Sequence, residues 1–367
     1  DGYVDGVNVI YAGTFDGTPQ TIWPHAWSLP GGGRDFDGVT VYSFSVQNEF
    51  ESVPGDKPAN TLCHEFGHVM GLPDLYDYDY DSFGIGYWGM MSFGVHNDNG
   101  WNPAHLCAWS RIGLGILSPV NVTASGFYDV PSVEESGTVY RLWTGGSGGN
   151  EYYLVENRRP IGYDSHLPGH GILIWHVDDS QNSNDNQWYP GYTSYGNYRV
   201  ALEQADGLWQ MEQYINGGDA GDPFPGPSGQ NADTFNYWTI PDSRDYDFLD
   251  TYVEISSIPE SADTVSVFMS VSQTGIEEGS GQGNGNYLEL SSNPVYGSVT
   301  ITLTHGGGKI SLAVFDLSGR RVSTLTSGPL QPGQHSFSWN TESLPKGIYS
   351  VRYTGEKAES ESSFLIL

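Results

Sequence analysis

The chain has 367 residues, enough for two or three domains, and 44 acidic against 14 basic side chains leave it a formal charge of −30. That excess opposes binding to nucleic acid or to an anionic membrane surface. Aromatic content of 14% and hydrophobic content of 37% exclude a disordered chain, and 49 glycines with 24 tyrosines fit a loop-rich, β-rich extracellular protein better than a helical bundle.

Residues 1–57 read as short strands and loops, with a strand over 38–46 (GVTVYSFSV), dense in β-branched and aromatic side chains. A helix is predicted to start near Asp56 and Pro58, a cap and a first-turn proline. Ala59, Leu62, Cys63, Phe66 and Met70 recur at helical spacing and would form its buried face. Gly71 and Pro73 end it. A second helix is expected from Asn102-Pro103 through Arg111. From about residue 120 to 272 the pattern turns to strands: EYYLVENR, GILIWHV, YRVAL and TVSVFMSVS stand between Gly, Pro, Asn and Asp clusters. Residues 273–286 form a Gly/Ser/Glu-rich flexible linker. Beyond it, short runs with turn signals between them predict a small antiparallel β-sandwich over 287–367. No run approaches the roughly 20 apolar residues needed to span a bilayer.

The stretch TLCHEFGHVMGLPDLYD, residues 61–77, concentrates the chemistry. His64 and His68 stand four apart, so on a helix they project from one face and can grip one Zn²⁺. Glu65 reaches toward the open position of such a metal, where it can take a proton from water. Gly71 then turns the chain, and Asp74 follows at the spacing of a third ligand, with aspartate where the elongated metzincin pattern has histidine. In GYWGMMSFG, residues 86–94, Met91 is the candidate for a methionine turn beneath the site, with Met90 as the alternative. Cys63 and Cys107 cannot make a disulfide framework; they form one bridge or stay as thiols near the site.

These residues resemble the immune inhibitor A-like secreted metallopeptidases. HEFGHVMGLPDLYD, GIGYWGMMSFG, NPAHLCAWSRIGLG, YYLVENRRPIGYDSHLPGHGILIWHVDD, VALEQADG and GDAGDPFPG look like successive blocks of that family, from residue 1 to about 272. The resemblance implies a secreted zinc endopeptidase acting on proteins or peptides, with structural calcium. Carried over position by position, it makes His64, His68 and Asp74 zinc ligands, Glu65 the general base and acid, and Met91 the turn methionine. It also implies catalytic-domain sequence ahead of Asp1, so the expected molecule is a fragment or a processed product with a separate N-terminal piece. Residues 287–367, through SSNPV, KISLAVFDLSGRRVSTL, LQPGQHSFSWNT and LPKGIYSVRYT, resemble type IX secretion sorting domains and related accessory sandwiches.

Outside that site, Asp178 and Asp179, Glu203 and Asp206, and Asp219 and Asp222 lie in oxygen-rich loops. Calcium takes six to eight oxygens from such loops, and Asp178, Glu203, Asp206 and Asp222 are the candidate ligands. Asp77, Asp79 and Asp81 alternate along YDYDYD, either a cation loop or a solvated one. His176 reads as a satisfied core histidine. The expected architecture is an α+β metzincin-like catalytic domain over 1–119, a β-rich region over 120–272 and a C-terminal antiparallel β-sandwich. The expected function is secreted zinc endopeptidase, extracellular or surface-attached. The alternative from another class is a non-catalytic surface or filament protein that kept a cation-stabilised, peptidase-like scaffold.

Overall fold

The computed structural model describes residues 2–19, 21–194, 196–226 and 233–271, and in the C-terminal part 287–290, 297–305, 307–316, 320–341, 344–345, 347–355 and 359–366. The predicted linker lies outside the described residues. The chain is β-rich with few helices and several small sheets, and it divides into two compact units, Asp1–Thr274 and Gly275–Leu367.

In the first unit, the strand Ser43–Asn48 is central to a three-stranded sheet, parallel to Val7–Tyr11 and antiparallel to His25–Ser28. Helix α1, Asn60–Val69, packs against that strand. It starts later than Asp56 and Pro58 suggested. The Asp56 carboxylate instead accepts the backbone N–H groups of Glu51, Ser52 and Val53 at 2.8–2.9 Å, closing the preceding turn. Its expected apolar face is corrected as well. Leu62, Cys63 and Phe66 are only half-buried and Met70 is exposed; they line a cavity of about 810 Å³ with Leu106, Ile116 and others. The residues α1 does bury are Asn60, His64 and Gly67.

Helix α2, Ala108–Gly113, is also shorter than expected. The Asn102–Cys107 stretch is kept out of the helix by tertiary bonds, Ala104 N–H to Gly94 O and His105 N–H to the Asp164 carboxylate, both 2.8 Å.

A five-stranded sheet runs in the order Val200–Leu202, Gly171–Asp178, Glu151–Arg158, Tyr140–Trp143, Val120–Asn121. Both faces of its middle are covered, which is why YYLV and ILIWHV read as continuous apolar runs. Leu154, Leu173, Trp175 and Val177 join Leu72, Leu75, Trp88, Met91 and Trp109 in one core. The alternate residues Tyr153, Val155, Ile172 and Ile174 join Val265, Val267 and Ile255 in a second core, formed with the sheet Glu254–Ser256, Thr264–Ser270, Gly126–Pro131. This is the period-two alternation of a strand buried on both sides.

Two buried ionic groups brace this sheet. Arg158 is wholly buried among Asp164 at 2.7 Å, Glu156 at 3.3 Å and Glu134 at 3.4 Å. It also donates to Trp88 O at 3.4 Å, so the network reaches the segment that leads to Met90 and Met91. His176, as expected, is a satisfied core histidine, with Glu151 at 2.8 Å on Nε2 and Glu203 at 3.1 Å on Nδ1. Its ring stacks on Tyr246 at 4.1 Å. Burial would lower this imidazole's pKa, but the two carboxylates outweigh burial and push it up to about 9. A raised histidine stabilises the fold fully below its unfolded value, about 6.5, and that contribution is lost as pH rises through about 9. Unfolding stability should therefore fall between these two pH values, and His176→Gln should flatten the fall; urea titrations at several pH values measure it.

In the second unit, the sheet Tyr287–Leu290, Ser298–His305, Gly333–Asn340 and the sheet Arg321–Leu330, Gly308–Asp316, Gly347–Gly355, Glu359–Ile366 are both antiparallel throughout. One apolar cluster draws on the two: Val299, Ile301 and Leu303 with Leu312, Val314 and Val351.

Candidate metal centre

The site is built by the end of α1 and the turn after it. Gly71 N–H bonds His68 O at 2.9 Å and Leu72 N–H bonds Gly67 O at 3.0 Å, the paired bonds of a Schellman stop. Gly71 holds φ +99°, a left-handed conformation that other residues rarely adopt. The turn directs Leu72 O back onto His68, where it accepts the Nδ1 proton at 2.8 Å. His64 is held likewise, its Nδ1 donating to Met90 O at 2.9 Å. Carbonyls only accept, so both rings carry a proton on Nδ1, and in its neutral form each turns a bare Nε2 lone pair inward.

Asp74 arrives opposite them. Its Oδ1 lies 3.1 Å from His64 Nε2 and 3.2 Å from His68 Nε2, and the two Nε2 atoms are 3.2 Å apart. Three acceptors thus face one another at nearly equal spacing, and Asp74 Oδ1 is buried with no hydrogen-bond donor. That arrangement is repulsive without a positive charge at its centre. A tetrahedral cation with ligands at about 2.0–2.1 Å sets neighbouring ligand atoms about 3.3 Å apart, so the triangle fits one face of such a site. Two imidazole nitrogens and one carboxylate oxygen are also a suitable donor set.

The surrounding residues hold this geometry. Tyr78 Oη donates to Asp74 Oδ2 at 2.7 Å, which leaves Oδ1 free for the centre. Burial, then the hydrogen bond and charge of Asp74, raise the Tyr78 phenol, keeping it protonated. Tyr76 stacks near His64, ring centroids 6.4 Å apart. Met91 is buried beneath α1, and its carbonyl accepts Leu75 N–H at 2.7 Å, next to Asp74. A Cβ at Gly67 would lie 2.6 Å from Met91 Sδ, so this glycine lets the methionine pack closely against α1. Gly67→Ala should cost about 1–3 kcal/mol by overpacking and loosen the centre. Gly113→Ala, whose Cβ would meet Leu72 at an ordinary 3.7 Å, serves as control in denaturant unfolding.

Glu65 is half-buried on the same side of α1 as His64. Burial raises its pKa, and the Asp74 charge adds to this while the two histidines oppose it. A carboxylate raised in this way is a better proton acceptor than a free one.

Of the other acidic candidates, the structure brings Asp206 and Asp222 together with Asp219, their carboxylate oxygens within 4.8 Å of one another. Asp178 and Glu203 do not join them. Asp178 is occupied by Ser180 N–H, Gln181 Nε2 and Asn197 Nδ2, and Glu203 by His176. Asp77, Asp79 and Asp81 also converge, with Asp77 accepting the backbone N–H groups of Asp79 and Ser82. Cys63 and Cys107 are not bridged: Cys63 lines the cavity behind α1 and Cys107 is buried against Ser110. Tyr78 and the Leu72 and Met90 carbonyls carry no signal in the sequence that would single them out.

No helix among the described residues is long and apolar enough to cross a membrane. The model of the FlgD Ig-like domain matches residues 285–359. Pre-pro-metalloprotease PrtV of Vibrio cholerae serotype O1 is 27% identical over 135 residues, which is 30% of this chain and 14% of PrtV. Immune inhibitor A of Bacillus thuringiensis subsp. alesti is 27% identical over 114 residues, 26% of this chain and 16% of that protein. The chain therefore aligns with only a small part of the length of either relative. Among solved structures, PorZ, a surface component of the type-IX secretion system of Porphyromonas gingivalis, aligns at 17% identity over 32% of this chain and 15% of its own, with a TM-score of 0.17. A likeness that low carries no argument about fold or role. The model of the immune inhibitor A peptidase M6 catalytic domain matches residues 1–112, a stretch that holds α1, its turn, Asp74 and Met91. By that match, residues 1–112 are similar to the catalytic domain of the immune inhibitor A peptidase M6 family.

Proposed function

We propose that this chain carries the centre of a secreted zinc endopeptidase, with a metzincin-like arrangement around α1. The observation that carries the reading is the triangle of His64 Nε2, His68 Nε2 and Asp74 Oδ1, three metal-ligating atoms 3.1–3.2 Å apart. Zn²⁺ bound there supplies a Lewis acid that polarises a carbonyl and lowers the pKa of a water. Glu65 takes the proton of the attacking water and returns it to the leaving amine, the work of one carboxylate acting as base and then acid. Tyr78 fixes the orientation of Asp74, and the Leu72 and Met90 carbonyls fix the imidazole tautomers. The substrates would be proteins or peptides. Export of the enzyme is supported by the pre-pro-metalloprotease named among its relatives.

The scaffold alternative has no need of a half-buried Glu65 beside a complete ligand set, and no observation favours it. Metal analysis of the purified chain, with digestion of a denatured protein before and after chelation, tests the reading. About one zinc per chain with chelator-sensitive cleavage is expected; no zinc and no cleavage would defeat it.

The family match to residues 285–359 and the shared core of its two antiparallel sheets support an Ig-like β-sandwich for the second unit. Calcium belongs to the reading as well, with Asp206, Asp219 and Asp222 as ligands. Asp222 is buried, its Oδ1 has no donor, and its Oδ2 accepts Trp88 Nε1 at 3.1 Å. Calcium should raise the melting temperature, and Asp222→Asn should abolish that rise. An equal rise in the variant would place the ion elsewhere.

A further inference from the structure

Behind α1 lies the cavity of about 810 Å³ that the expected apolar face of the helix lines. Its volume falls within the range of small-molecule sites, about 300–1,000 Å³. Leu62, Phe66 and Met70 come from α1, and Leu106, Ile116 and Leu117 from the segments before and after α2. His64 and Glu65 face a different space, on the side of the metal centre.

Four polar or charged side chains share this apolar lining: Asn8, His105, Arg111 and Glu134. Asn8 Nδ2 donates to Ser45 Oγ at 2.7 Å. Burial lowers the pKa of His105 and leaves its ring uncharged. Glu134 is engaged on both oxygens, by Ser132 Oγ at 2.6 Å and Arg159 N–H at 3.0 Å, and has Arg158 at 3.4 Å. Arg111 differs. It is 8% exposed, its Nη1 reaches only Val133 O at a long 3.5 Å, and its Nη2 is buried with no acceptor. The neighbouring carboxylates Glu134, Glu156 and Asp164 pair with Arg158 instead. A guanidinium does not deprotonate in proteins, so a permanent cation with an unused donor stands in a largely apolar wall.

We propose that this cavity is a binding site for a long-chain aliphatic carboxylate, its chain against the apolar wall and its head group on Arg111. Two features select this ligand. The apolar lining is aliphatic or thioether apart from Phe66, and Met70 and Met90 adapt to a flexible chain. A carboxylate is the acceptor that Arg111 lacks, and a charged acceptor binds a guanidinium more strongly than a neutral one. The net charge of −30 opposes an anionic bilayer, so the ligand enters as a monomer from solution. The site does not depend on the hydrolytic reading above.

Cys63 supplies the readout. It is a free, half-buried thiol in the cavity lining, whereas Cys107 is 1% exposed, so maleimide labelling of the folded full chain reports on Cys63. Dodecanoate should slow that labelling. Dodecanol, the same chain without the charge, should need about tenfold or more higher concentration for half-protection, the worth of a hydrogen bond to a charged group. In Arg111→Gln the two compounds should protect at similar concentrations; if that variant does not fold, the comparison in the parent decides. Labelling that neither compound slows overturns the site. Equal protection by both in the parent, or an undiminished preference for dodecanoate in folded Arg111→Gln, overturns the role of Arg111 and with it the proposal. Faster labelling of both cysteines, the mark of detergent unfolding, overturns it as well.

Discussion

Glu65→Gln should lower kcat by about 10²- to 10⁴-fold, the range general acid–base catalysis contributes, while zinc content and melting behaviour stay those of the parent. The substitution keeps the size and polarity of the side chain and removes only its ability to take a proton. Glu65 touches neither of the hydrogen bonds that hold the ligands, which run from His64 to Met90 O and from His68 to Leu72 O. The loss should therefore appear in kcat and kcat/KM together, with little change in KM, as for a group that acts in the transition state. A variant with parental turnover would remove Glu65 from the mechanism. A variant that loses zinc would show that the carboxylate is a ligand instead.

His68→Ala is expected to act on the metal before it acts on the chemistry. Partners that merely orient a ligand already cost about 10- to 100-fold in metal affinity, so removal of a ligand should cost at least about 100-fold. The free Leu72 O, no longer bonded to an imidazole, also loosens the turn that carries Asp74. Competition with a chromophoric chelator measures the affinity directly. Tyr78→Phe gives the graded comparison: Asp74 Oδ2 loses its donor at 2.7 Å, and affinity should fall within the 10- to 100-fold range. Equal zinc affinity in His68→Ala and the parent would place the metal elsewhere.

Much of this site is legible from residue spacing. Four-residue spacing sets His64 and His68 on one face, and Gly71 stands where only a left-handed residue lets the chain turn back. The strands of the five-stranded sheet are legible for a similar reason: burial on both faces leaves long apolar runs between turn residues. The elements that escaped depend on partners distant in sequence. The start of α1 is not legible in the sequence because Asp56 serves three backbone donors behind it instead of the helix ahead. The apolar side of α1 reads as buried from periodicity alone, yet it faces a cavity of about 810 Å³. Glu203 lies in an acid-rich loop, but its partner is His176 across the sheet, and composition does not distinguish an ion pair from a cation ligand. Asp222 and Asp206, from loops similar in composition, do converge. Tyr78 is one of many tyrosines until the turn brings its hydroxyl to Asp74.

The proposed mechanism depends most directly on which atoms hold the metal. Anomalous diffraction at the zinc edge from crystals of the zinc-loaded chain tests this in one measurement. The expected result is a single strong peak about 2.0–2.2 Å from His64 Nε2, His68 Nε2 and Asp74 Oδ1, with Tyr78 still bonded to Asp74 Oδ2. A peak held by the two histidines with Asp74 turned away, or a peak at another cluster, would contradict it.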